Sequence, residues 1–226
     1  MTIRRTPLAA ILGYASMLNV QTHWGRGAEL ADWQQEAISE LEEASRRMNK
    51  IVSDLLDATR IQAGRMEMQP TLVDLVAVVR RSVTRFQVSA PHHTLTVEII
   101  PADAEQALVL ADSTRVDQIL GNLIGNAIKY SPQGGPVTIS LHVDQVARQV
   151  EVQVSDRGIG IPIDQQAQLF GRFVRASNVH DHGIAGSGLG LYVCRELVER
   201  QGGHIWFEST QGVGTAFFFT LPLAAA

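Results

Sequence analysis

Asn122-Leu-Ile-Gly-Asn126-Ala-Ile-Lys129-Tyr130-Ser131 and Asp156-Arg-Gly158-Ile-Gly160-Ile-Pro162 are the two stretches that have to meet in space for this chain to do chemistry. The first reads as a helix with two carboxamides one turn apart on one face. The second follows an alternating strand, Val150-Glu-Val-Gln-Val154, and breaks into a glycine turn. A carboxylate leading into a turn that backbone can approach closely suits a nitrogen base. Carboxamide oxygens with a lysine one turn on suit a metal-bound polyphosphate. Together they read as a nucleotide site.

The 226 residues allow one or two domains, and 45% hydrophobic with 19% charged residues is ordinary for a folded chain. A net charge of -4 gives no reason to expect nucleic-acid binding. The single cysteine, Cys194, excludes an internal disulfide; in an apolar helical stretch it reads as a buried thiol. No stretch is long and apolar enough to span a bilayer, so the expected location is the cytoplasm, either free or as the cytoplasmic part of a membrane-bound sensor. The seven histidines, His23, His92, His93, His142, His180, His182 and His204, lack metal-ligand spacing on a shared helix face.

Outward from the two stretches, the first 66 residues read as a helical hairpin and residues 71–226 as a mixed α and β domain, an α+β chain overall. Leu8, Ile11, Leu12, Ala15 and Leu18 place a first helix from Pro7 to about Val20. A second helix runs from about Glu29 to Ile61. Leu41, Met48 and Leu55 recur at sevens along it, as do Ala44, Ile51 and Ala58, which is a coiled-coil seam with Glu42, Glu43, Arg46 and Arg47 outside it. A lone hairpin leaves such a stripe exposed, so two copies are expected to form a four-helix bundle. Gly64 to Pro70 is the break. Beyond it Leu72-Val-Asp74 starts a helix capped by Asp74, Leu95–Ile99 and Ala107–Ala111 are strands, and Asp112 or Ser113 caps the helix that carries Asn122. Pro136–Val143 and Gln149–Val154 form a hairpin, Ile163–Phe170 a short helix, and 171–187 a glycine-ended lid. Leu189–Glu199 is a helix stopped by Gly202-Gly203, and two strands around His204–Phe207 and Ala216–Leu221 close the chain.

Five segments, in order, now carry a family resemblance. Asn122–Ser131 resembles the asparagine box of bacterial sensor histidine kinases, and Asp156–Pro162 their first glycine box. Leu169-Phe170-Gly-Arg-Phe173 resembles the phenylalanine box, Gly186-Ser187-Gly188-Leu189-Gly190-Leu the second glycine box, and Gly212-Val-Gly214-Thr215 the third. From Thr71 onward the chain resembles their catalytic domain, an α/β sandwich of the Bergerat type that binds ATP. A dinucleotide fold would need a glycine where Ile163 stands, and a Walker loop a Gly-Lys pair, which the sequence lacks.

The resemblance implies roles. Asp156 accepts from the adenine amino group; Gly158 and Gly160 let the chain pass under the base. Asn126 gives an oxygen to Mg²⁺, and Asn122 contacts the phosphates or the metal. Related ATPases carry a glutamate at the Asn122 position to activate water; an asparagine is no base, which fits transfer better than hydrolysis. Lys129 balances phosphate charge and Tyr130 lines the pocket. Gly186, Ser187, Gly188, Leu189 and Gly190 open a helix whose free N–H groups suit an anion. Thr215 closes the adenine side. Arg172 and Arg175 are each candidates for the γ-phosphate or for a surface salt bridge. Phe170 lines the site as a lid anchor in the core rather than a base-stacking ring, as does Phe173.

The hairpin resembles the dimerisation and phosphoacceptor domain, through Arg5-Thr6-Pro7-Leu8-Ala9-Ala10-Ile11-Leu12-Gly13-Tyr14. The family's acceptor histidine would stand three residues before Arg5, where this sequence has Thr2, and the acidic residue after it is Ile3. A threonine hydroxyl without a base is a weak nucleophile where an imidazole is a competent one. Thr6 matches the position linked to phosphatase action on a phosphorylated regulator. The chain is therefore expected to be a piece whose histidine lies outside it, or a variant that does not label itself; the truncated helix favours the first. The implied partners are a second copy through the hairpin and the receiver domain of a response regulator. The implied reaction is phosphoryl transfer from ATP to histidine and on to an aspartate, with Mg²⁺. Two alternatives stand beside it: a catalytically silent ATP-binding dimerisation partner, and a phosphatase using Thr6.

Overall fold

The computed structural model describes residues 11–18, 30–102, 104, 106–181, 184 and 186–224. Thr2, Thr6, most of the entering turn of the first helix and the hairpin link lie outside that set, as do the side chains of His180 and His182. The chain forms two compact units, Met1–Thr59 and Arg60–Ala226.

The first unit holds α1 (residues 11–18) and most of α2, Asp32–Gln62. Ala15 and Ile38 are buried there, whereas Leu41, Met48, Ile51 and Leu55 of the heptad seam remain exposed in the single chain. An apolar stripe of that length left in water is what a helical partner would cover. Glu42 pairs with Arg46 at 2.8 Å and Glu43 with Arg47 at 2.7 Å, each across one helical turn outside the seam. Gly64, at φ +65°, ends α2: its N–H bonds Ile61 and the Arg65 N–H bonds Arg60, so the last carbonyls are satisfied.

The second unit is an α/β sandwich. Its elements are β1 (Thr71–Asp74), α3 (Leu75–Ser89), β2 (His93–Ile100), β3 (Leu108–Ala111), α4 (Ser113–Lys129), β4 (Gly135–Asp144) and β5 (Gln149–Asp156). There follow α5 (Ile163–Gln166), α6 (Asn178–Asp181), α7 (Gly190–Glu199), β6 (Ile205–Thr210) and β7 (Gly214–Pro222). The main sheet has the order β2-β4-β5-β7-β6, with β2 parallel to β4 and the other pairs antiparallel. Its inner face, Val137, Ile139, Leu141, Val150, Val152, Val154 and Phe219, is fully buried against Leu75, Val79, Ile119, Leu120, Leu123 and Leu197 from α3, α4 and α7. Alternation along β4 and β5 makes this face apolar and the other polar.

Two expectations change. Leu72-Val-Asp74 does not begin the helix; it is strand β1, paired with β3 in a separate two-stranded sheet. Asp74 caps α3 through Val76 N–H at 3.0 Å and also takes the Ala107 N–H at 3.1 Å, so the cap residue itself holds the chain extended beside β3. The helix expected over Ile163–Phe170 stops at Gln166, because the next N–H groups bond three residues back rather than four. As for the cap of α4, Asp112 supplies it, accepting from Thr114 and Arg115 at 3.0 and 3.2 Å. Its other oxygen takes the Gln69 N–H at 3.0 Å, which ties the chain ahead of the sandwich to the start of α4.

Candidate nucleotide site

Helix α4 buries Val116, Ile119, Leu120, Leu123 and Ile124, and this orientation turns Asn122, Asn126 and Lys129 along one edge. Asn122 is buried while Asn126 and Lys129 are half-buried. The N-terminus of α7 comes to this edge. A Cβ added to Gly190 would sit 3.4 Å from Asn122 Oδ1, and one added to Gly186 would sit 2.9 Å from Lys129 Nζ. The second glycine box thus leaves open the space that side chains would take beside a carboxamide and an ammonium.

The C-terminus of α4 meets the first glycine box. Tyr130 O accepts the Ile159 N–H at 3.0 Å. At Gly158 a Cβ would lie 2.1 Å from the same carbonyl and 2.8 Å from Ser131 Oγ, so no side chain fits. Asp156 ends β5, and the glycine turn folds back onto it: Asp156 Oδ1 accepts the Gly158 N–H at 2.8 Å. Thr215 stands directly opposite in the β5–β7 register. Burial pushes the Asp156 carboxyl above its ordinary 3.8, and the N–H groups of Gly158 and Thr215 with the nearby Ser131 pull it part of the way back. Tyr130 is also pushed up by burial, offset by the charge of Arg175.

Ser209 is a scaffold residue that sequence reading missed. Its hydroxyl takes the Ile161 N–H at 2.9 Å, reaches Gly214 O at 3.0 Å and lies 2.9 Å from Thr215 Oγ1. It joins the first and third glycine boxes. Gln166 adds to this, donating to both Ile161 O and Ser209 O at 3.0 and 3.1 Å. Neither has a local signature for that joint, since the bonds that make it, Ile161 N–H to Ser209 and Gln166 to Ser209 O, span 48 and 43 residues.

In the lid, Asn178 donates to Gly160 O at 2.9 Å and Arg175 to Ile184 O. Phe170 lies tilted against Phe207 at 5.8 Å and edge-on to Phe217 at 6.5 Å, which anchors the lid in the apolar layer. Phe173 does not. Its ring is 65% exposed, because its backbone is left-handed at φ +62° and turns the side chain outward. Its main chain instead backs onto Gly188, where a Cβ would lie 2.6 Å from Phe173 C. Arg172 donates to Gln62 Oε1 at 3.0 Å and covers the Tyr192 ring at 5.4 Å.

Comparison with known proteins gives the family. The model of the histidine kinase-, DNA gyrase B-, and HSP90-like ATPases matches residues 111–225, and that of the His Kinase A (phospho-acceptor) domain matches residues 5–64. The chain belongs to the sensor histidine kinase family. As a kinase core it is 31% identical over 218 residues to the sensor histidine kinase WalK of Bacillus subtilis, covering 96% of this chain and 34% of that protein. It is 37% identical over 180 residues to the adaptive-response sensory kinase SasA of Thermosynechococcus vestitus, covering 78% of this chain and 45% of that one. Among solved structures it is similar to full-length ShkA, crystallised in complex with AMPPNP: TM-score 0.73, 28% identity, 98% of this chain and 44% of that chain. The kinase core described here thus spans about a third of WalK and less than half of SasA and ShkA. None of its described helices is long and apolar enough to cross a membrane.

Proposed function

We propose that residues 71–226 bind Mg²⁺-ATP and serve phosphoryl transfer to a histidine, then to a response-regulator aspartate, while residues 1–66 dimerise through the exposed α2 seam. The observation that carries this reading is the joint at Tyr130, where the end of the carboxamide helix is bonded to the turn that follows Asp156. That backbone contact holds the turn after Asp156 against the end of the helix that carries Asn122, Asn126 and Lys129, which supports reading a carboxylate for the base and an edge for the phosphates as one site. The chemistry of that edge fits the metal: Asn122 and Asn126 offer neutral hard oxygens, Lys129 a cation, and Gly186 and Gly190 the room beside them. Asn126, with Asn122, would hold Mg²⁺, which when bound neutralises phosphate charge. Asp156 selects the adenine amino group. Thr215 and Tyr130 flank the base, Gly158 and Gly160 keep the floor low, and Ser187 and Leu189 shape the phosphate turn. Asn122 carries no base, so water is not activated there.

Position 2 is threonine, which favours a second reading: a silent ATP-binding partner that dimerises with an intact kinase, or a phosphatase using Thr6. Calorimetry with Mg²⁺-ATP is expected to show binding, while incubation with γ-labelled ATP leaves the chain itself unlabelled. Absence of heat defeats the nucleotide site. Acid-labile, base-stable label on the chain contradicts the assignment of Thr2 to the acceptor position. Restored labelling in a Thr2→His, Ile3→Glu variant supports the kinase reading, and silence with ATP bound supports the partner reading.

The raised pKa of Asp156 sets a pH dependence. The folded state holds the proton more readily than the unfolded chain, so ionising Asp156 costs stability. That cost is absent below about 3.8 and complete above the raised folded value. Binding runs the other way, since only the carboxylate accepts at both oxygens. ATP affinity is expected to fall about tenfold for each pH unit below the folded pKa of Asp156. Titration calorimetry from pH 7.5 downward checks it; a flat profile until the fold melts removes Asp156 from the base.

A further inference from the structure

The main sheet has a second face, on the side away from its buried layer. Strand register places Glu98, Ser140, Gln153, Phe218 and Trp206 in one row across all five strands, each opposite the next. The neighbouring row is Ile100, His142, Glu151 and Thr220. At the β6–β7 end, His204, Trp206 and Phe218 form a stack, with ring centroids 5.6 and 5.2 Å apart and planes within 18° and 4°. At the β2–β4–β5 end a recess of about 310 Å³ is lined by Glu98, Ile100, Ser140, His142, Glu151 and Gln153.

The charge on this face has one sign. The chain has 19 Lys and Arg, yet none lies within the five strands of the main sheet, whose outward positions carry Glu98, Glu151 and Glu208. Aromatic stacking across β6 and β7 stabilises that pair. It gives no reason for carboxylates one and three strands beyond β7, or for five strands without a cation. A planar cation answers both ends: guanidinium pairs with carboxylates and lies flat on an aromatic ring, whereas ammonium does the second less well.

We propose that this face docks an extended, arginine-bearing segment of a protein partner. The spacing specifies the segment. The recess centres on β4 and the stack lies between β7 and β6, two and a half strand spacings away, or about 12 Å. An extended chain covers about 13 Å in four residues and returns the side chain to the same side. Arginines four apart therefore reach Glu98 and Glu151 with one guanidinium and an end ring of the His204–Trp206–Phe218 stack with the other.

The test is nuclear magnetic resonance titration of the full chain with a capped pentapeptide, arginine at both ends and Thr-Ser-Thr between. Shifts are expected to concentrate on the Trp206 indole, the Gln153 amide and His142. Glu98→Gln with Glu151→Gln should weaken binding at least fivefold while leaving Mg²⁺-ATP binding unchanged, and Trp206→Leu should do the same to the peptide. The lysine counterpart should bind at least threefold more weakly. The proposal is overturned if the double glutamine variant binds the peptide as well as the parent, if a peptide with adjacent arginines binds equally, or if shifts scatter over the whole acidic surface. It is also overturned if the same residues shift on raising protein concentration alone, since a second copy then occupies the face.

Discussion

Asp156→Asn lowers Mg²⁺-ATP affinity about a hundredfold, equivalent to roughly 2.8 kcal/mol, without unfolding the chain. The size follows from the turn. One oxygen of Asp156 is already committed to the Gly158 N–H at 2.8 Å. A carboxylate still has an accepting oxygen for the adenine amino group. An asparagine has one oxygen and one NH₂, so either the Gly158 N–H or the adenine amino group meets a donor. The fold responds in the opposite sense. Burial raises the Asp156 pKa, so the neutral amide removes a desolvation cost that the ionised side chain carries at pH 7. Thermal unfolding at pH 7 should therefore show a midpoint no lower than the parent's, and calorimetry should show the loss of binding. An affinity within threefold of the parent would sink the adenine assignment, while a melted variant would point to a structural carboxylate.

Gly158→Ala is the second large effect, and it strikes fold and site together. The added Cβ would sit 2.1 Å from Tyr130 O, a backbone atom that no rotamer can move aside. Relief requires the turn to lift from the end of α4, which breaks the 3.0 Å Ile159–Tyr130 bond. The lost bond and the strain together cost about 2–4 kcal/mol. Nucleotide affinity should fall by about tenfold or more, because the base and phosphate ends no longer share one rigid frame. Chemical denaturation and calorimetry on the same preparation check both parts. Gly212→Ala is the control: its Cβ meets nothing within 4 Å, so only its positive φ of +78° is penalised, by about 1 kcal/mol. If the two alanine variants behave alike, the close approach at Tyr130 is not what holds the site.

Much of this architecture is legible in local pattern. The three-and-four periodicity of α3, α4 and α7, the alternation in β4 and β5, and the Asp112 cap are each set by neighbours within one turn or one pleat. The glycine boxes are legible through their resemblance to the family's, although the contacts that demand glycine at 158 and 188 come from Tyr130 and Phe173, outside those turns. The heptad stripe of α2 reads as an interface because it stays in water within one chain.

Other features have no such local cause. Leu72-Val-Asp74 carries a helix cap and still lies in a strand, because β3, more than thirty residues on, supplies the ladder. Phe173 and Phe170 share one box, yet the first turns outward and the second inward; a backbone angle set by contact with Gly188 separates them. Ser209 and Gln166 become the joint between two glycine boxes only when β6 closes against β7 and the turn after β5. The row from Glu98 to Trp206 exists only once five strands have chosen their order and register. Short-range periodicity and capping therefore settled most of the elements that form. Long-range hydrogen bonding and strand register, which leave no mark in any single window of residues, decided which side chains those elements bring together.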